Sequence, residues 1–91
     1  MRLSNPARGE VAVVIGGREA RLCVTLGALA ALEGHFGVSG FAALGERLKA
    51  LGPGDLAVVL RALLVDDAPV EAASLAEAMA AVTAAFAAMS A

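Results

Sequence analysis

Ninety-one residues with a formal net charge of −2 bound this chain to one small domain, near the size at which a single core is adequate but not generous. The seven Lys and Arg are scattered among nine acids, so there is no concentrated basic field of the kind that binds nucleic acid. One cysteine, Cys23, excludes an intramolecular disulfide and a Cys-rich zinc site, and fits a reducing cytoplasm.

The apolar share is 59%, but aromatics are only 3%, so the bulk comes from Ala, Leu and Val. A mean hydropathy of +0.78 raises the question of a membrane. The longest uncharged run, AMAAVTAAFAAMSA after Glu77, has 14 residues. A spanning helix needs about 20. The run also lacks the basic face of an interfacial anchor. The opening MRLSNPARGE has no apolar run of the kind a secretory signal carries. A cytoplasmic chain without membrane or nucleic-acid partners is expected.

Residues 1–8 read as a flexible lead-in before a single domain over 9–91. GEVAVVIGGREARLCVT places two strand-forming runs around Gly16-Gly17, a two-residue hairpin signal because both glycines accept positive φ. In a hairpin over 9–25, Val13 faces Ala20 and Val11 faces Leu22. Val11, Val13, Ala20, Leu22 and Val24 then share the buried face. Glu10, Glu19, Arg21, Cys23 and Thr25 fall on the other, with Ala12 and Val14 as its apolar exceptions.

Thr25 can cap a first helix, about 26–36, in which Leu26, Leu29, Leu32 and Phe36 recur at helical spacing. A second helix, about 40–51, carries Phe41, Leu44, Leu48 and Leu51 on one stripe, and Gly52-Pro53-Gly54 stops it. Asp55 is expected to cap a third, about 55–65, with Leu56, Val59, Leu60, Leu63 and Leu64 on its apolar face. Asp66-Asp67-Ala68-Pro69 reads as a solvated linker. Ser74 with Glu77 three positions on has the pattern of a capping box opening a last helix, about 74–89. The expected fold class is α+β, mostly α: an N-terminal antiparallel hairpin followed by about four short helices.

Sites of chemistry are scarce. His35, the only histidine, sits near a helix C-terminus, where a partly cationic ring is favourable without any catalytic role. Cys23 reads as a small strand residue, since nothing in the sequence places a base beside it. Gly16-Gly17-Arg18 lacks the spacing of a phosphate loop. No catalytic, cofactor-binding or metal-binding residues are expected, and no cofactor. In the last helix, Leu75, Met79, Val82, Phe86 and Met89 form a narrow stripe expected to pack on the hairpin and first helix. An exposed helix face normally carries charge, yet none follows Glu77. The Ala face is therefore the expected partner surface: Ala81, Ala84, Ala85 and Ala88, with Met89 at its end.

Several strings resemble those of the gene transfer agent and phage tail assembly chaperone family. They are Asn-x-x-Arg-Gly-Glu-Val at Asn5, Arg8, Gly9, Glu10 and Val11; Arg-Leu-x-x-Thr-Leu-Gly-Ala-Leu-Ala-x-Leu-Glu from Arg21 to Glu33; Phe36-Gly37; and a Leu-rich helix from Asp55. The resemblance covers about residues 5–64, more loosely the Ala-rich tail. It implies a non-enzymatic protein that keeps the tape-measure protein soluble, or helps tail-tube subunits polymerise around it, during assembly of a gene transfer agent or prophage tail. The partners implied are the tape-measure protein, the tail-tube protein or a second copy, in the bacterial cytoplasm or in the particle. A permanent tail-tube component and a small regulatory binding module are the alternatives. The family motif has no catalytic residues to carry over. Gly16, Gly17, Thr25, Gly27, Asp55 and Phe86 are expected to be structural, with Gly27 and its neighbouring alanines letting the first helix lie close to the hairpin.

Overall fold

The computed structural model describes residues 9–90, so the lead-in expected over 1–8 lies outside the described residues. The chain runs through strands β1 (Val11–Ile15) and β2 (Arg18–Leu22), then helices α1 (Leu26–Phe36), α2 (Phe41–Leu48), α3 (Pro53–Leu63) and α4 (Leu75–Ser90). A short 3-10 turn, Val70–Ala72, precedes α4. The molecule is α+β and mostly α, as the periodicities indicate. Its thinnest dimension is 17 Å, room for about two layers of elements some 10 Å across.

The hairpin pairs in the register read from its apolar alternation: Val11 opposite Leu22, Val13 opposite Ala20, Ile15 opposite Arg18. Gly16 and Gly17 take φ of +61° and +82°, the conformation a two-residue turn demands. Ala20 and Leu22 are buried and Val11, Val13 and Val24 half-buried, while Ala12 and Val14 on the opposite face are exposed. Beyond the expected set, Ile15 is fully buried at the strand end.

The outer edge of β2 is not left open. Leu22 bridges to Leu64, the Cys23 N–H donates to the Leu63 carbonyl at 2.9 Å, and the Val65 N–H donates to the Arg21 carbonyl at 2.9 Å. The Arg21 N–H and Nε donate to the Asp66 carboxylate at 3.2 and 3.3 Å, and Nη1 reaches Glu10 at 3.4 Å. Two expectations change here. Glu10, placed on the solvent face by alternation, is buried, because Arg21 brings it an opposite charge. Asp66 is not a bare solvated linker residue: it seals the strand edge.

The start of α1 matches its sequence signal, and the helix ends at Phe36 as expected. Thr25 Oγ1 accepts from the Ala28 N–H at 3.0 Å, and Gly37 closes the helix with φ +66°. The start of α3 does not. It begins at Pro53, with Gly52 as the cap, so Asp55 is the third residue of the helix and not its cap. The fixed φ of proline suits a first helical position and carries the helix two residues further toward the N-terminus. Leu56, Val59, Leu60 and Leu63 are buried as the stripe requires. At α4 the capping box is present: the Glu77 N–H donates to Ser74 Oγ at 3.1 Å, and Glu77 Oε1 accepts from the Ser74 N–H at 3.2 Å.

Gly27 does not have the expected role. It is exposed, and a Cβ there would meet only Thr25 Oγ1 at 3.8 Å. The close approach of elements occurs at Gly16, where a Cβ would lie 2.9 Å from Pro69 Cγ and 3.0 Å from both Ala72 Cβ and the Pro69 carbonyl. The Gly16 N–H also donates to Glu77 Oε1 at 3.1 Å, so one carboxylate caps α4 and holds the hairpin tip.

Candidate docking surface

The two faces of α4 depart from the expected division. Ala78, Ala81 and Ala85 are buried at 6%, 3% and 0% exposure, whereas Leu75 and Met79 are 59% and 56% exposed. Val82, Phe86, Ala84, Ala88 and Met89 are half-buried. The helix is packed against both α3 and β1. Only small side chains fit where a helix must approach two elements at once, so Ala78, Ala81 and Ala85 face inward while Leu75 and Met79 turn out. Ala81 and Ala85 are thus core residues and no free partner surface, and the stripe is only partly core. Phe86 packs against the core while staying half-buried.

The outward residues border a groove. Leu48, Lys49 and Leu51 form one wall and Leu75, Met79, Val82 and Thr83 the other, with Pro53 and Leu56 between them; the cavity measures about 250 Å³. A second cavity of about 250 Å³ continues past Pro53, Leu56 and Leu75 toward Leu60, Val70 and Ala73. Both are mainly apolar. On the α4 side the wall has no charge beyond Glu77, and on the α2 side Lys49 is paired with Glu46 at 2.7 Å. Such a trough offers apolar contact area and no chemistry. Further exposed apolar side chains, Val14, Leu26, Phe41 and Val65, lie on other elements.

Several titratable groups are engaged in structural pairs. His35 Nε2 lies 3.4 Å from Asp55 Oδ1, and its ring stands edge-on to Phe36, with centroids 4.8 Å apart. Arg47 donates to Asp55 Oδ2 at 3.0 Å and lies over the Phe36 ring at 4.7 Å. The His35 and Arg47 hydrogen bonds hold the Asp55 carboxyl below its ordinary value, and the Arg21 backbone and side-chain donors do the same for Asp66. Arg61 pairs with Glu71. Cys23 is half-buried at the end of the hairpin. Among the described residues, no three His, Cys, Asp or Glu side chains converge to hold a metal ion, and no helix is long and apolar enough to cross a membrane.

Size-based reading of the last helix missed Leu75 and Met79 as surface residues. A signal was present: Ala78, Ala81 and Ala85 recur at spacings of three and four, a periodic stripe of small residues in its own right. No curated protein and no solved structure matches the chain. A family model described as phage tail tube protein, GTA-gp10, matches residues 8–91, which includes the Ala-rich tail as well as the motif residues from Arg8 onward. With nearly the whole chain matched, this protein belongs to the GTA-gp10 phage tail tube protein family.

Proposed function

We propose that the chain is a non-enzymatic tail assembly chaperone, which binds an apolar helical segment of the tape-measure protein on the outer face of α4 and in the groove beside it. The observation that carries this reading is the way α4 is turned: it buries Ala78, Ala81 and Ala85 and presents Leu75 and Met79 along an uncharged wall. Exposing large apolar side chains on a helix with no charge beyond its first turn is costly for a free protein and suits one that is covered during assembly. Helix-in-groove docking uses this kind of surface, and methionine adapts to varied apolar partners. Val82 and Thr83 extend the surface along the same groove wall. The tail-tube subunit is the second candidate partner.

The test is co-expression with the tape-measure protein. The wild-type chain is expected to hold that protein in the supernatant and to co-purify with it. Leu75→Glu and Met79→Glu are expected to keep their thermal melts and lose the partner. Normal retention by both folded variants would place docking elsewhere, with the outer face of the hairpin next. A second reading, a permanent tube subunit, is favoured by the family's description as a tail tube protein. Finished particles separate the two, because only a tube subunit remains in them.

A further inference from the structure

The groove has one wall that is held far less firmly than the floor it stands on. Helix α2 buries a single side chain, Leu44, and exposes Phe41 at 58%. By contrast α3 buries four. Eight residues make only two turns, Gly45 lies inside them, and Gly40 at the N-cap offers no side-chain bond. Glycines flank the helix. Gly37 and Gly40 have φ of +66° and +92°, and Gly52 ends the connection to α3. Such positions absorb backbone rotation.

Polar ties compensate for the thin core contact. At one end Glu33 Oε2 accepts from the Gly40 N–H at 2.7 Å. At the other, the Arg47 guanidinium bonds Asp55 at 3.0 Å and the Ala50 carbonyl at 2.7 Å while covering the Phe36 ring. Arg47 thus fastens α2 to both α1 and α3. Leu48 and Lys49, next to this latch, are the residues through which α2 lines the groove.

We propose that α2 is a hinged flap, latched by Arg47, that opens as a unit and widens the groove for its helical partner. The flap stands on the packing of α2 alone; its effect on docking rests on the function proposed above. A lightly anchored helix between flexible hinges opens at lower free energy than the elements that carry the core. A latch built of partly exposed charges permits such opening while keeping the closed state dominant.

Native-state amide hydrogen exchange of the whole chain tests this without any partner. In the wild type, amides from Leu44 to Leu48 are expected to exchange about 100-fold faster than those of Val59, Leu60 and Leu63. Arg47→Gln is expected to speed α2 exchange by a further 5- to 10-fold, roughly, and to leave α3 unchanged, with Arg47→Lys in between. Asp55→Asn, which weakens the same latch from the other side, is the second variant. Equal protection of α2 and α3 in the wild type would overturn the proposal. So would an acceleration by Arg47→Gln or Asp55→Asn spread evenly over both helices. A wrong docking site shows itself only in co-purification with the tape-measure protein, so the two failures are distinguishable.

Discussion

Replacing Gly16 by Ala should be far more damaging than replacing Gly17 by Ala, although both glycines sit in the same turn with positive φ. Each substitution places a Cβ in the left-handed region, which costs about 1–2 kcal/mol. At Gly17 that is the whole cost, since a Cβ there meets nothing within 4 Å. At Gly16 the new carbon falls 2.9 Å from Pro69 Cγ and 3.0 Å from Ala72 Cβ and the Pro69 carbonyl, well inside ordinary contact. The tip must move off the 69–72 segment, and the bond from the Gly16 N–H to Glu77 is then lost. Overpacking costs about 1–3 kcal/mol and a hydrogen bond about 1 more, so Gly16→Ala should total about 3–6 kcal/mol. Urea titrations of the wild type and both variants, analysed at constant m, measure the difference. Equal destabilisation within about 0.5 kcal/mol, a usual tolerance for independent sites, would show that the hairpin tip does not rest on this segment.

Three further outcomes are expected. Ala85→Glu places an unpaired charge between α3 and β1 and should cost about 3–5 kcal/mol in a thermal or urea melt, unlike Met79→Glu on the outer face. Gly27→Ala should raise stability by about 0.5–1 kcal/mol in the same melts, because the site is exposed and helical and its Cβ would meet only the Thr25 hydroxyl at 3.8 Å. Asp55 and Asp66 have folded-state pKa values below the ordinary 3.8, so their contribution is fully present above that value and is lost as the pH falls through the folded values. The wild type should therefore lose more stability between about pH 5 and about pH 2 than the Asp55→Asn, Asp66→Asn double variant, as read from urea midpoints.

The hairpin was legible because its side chains alternate with a period of two about an unambiguous Gly-Gly turn, and α3 because its apolar residues are large and regularly spaced. The orientation of α4 was not. Ranking residues by size assigns Leu75 and Met79 to the core, but the slot between α3 and β1 selects for smallness, and which slot a helix occupies is a tertiary fact. Glu10 was misplaced for a similar reason: its burial depends on Arg21, and Arg21 is set in turn by Asp66, 45 residues along the chain. Asp55 lost its cap to Pro53, whose preference for the first helical turn competes locally with an acidic cap. Ala81 and Ala85, expected to be free for a partner, are core residues for the same reason that turns Leu75 and Met79 out. The lack of charge that drew attention to α4 is real, and it marks the groove wall.

We propose that this member of the tail tube protein family acts during assembly through the outer face of α4 and is not built into the tail. Quantitative mass spectrometry of purified finished particles, set beside complexes captured from producing cells with the same tagged chain, tests it most directly. The chain should co-purify with the tape-measure protein from cells and be absent from finished particles. Its presence in the particles at the copy number of a tube subunit would contradict the claim.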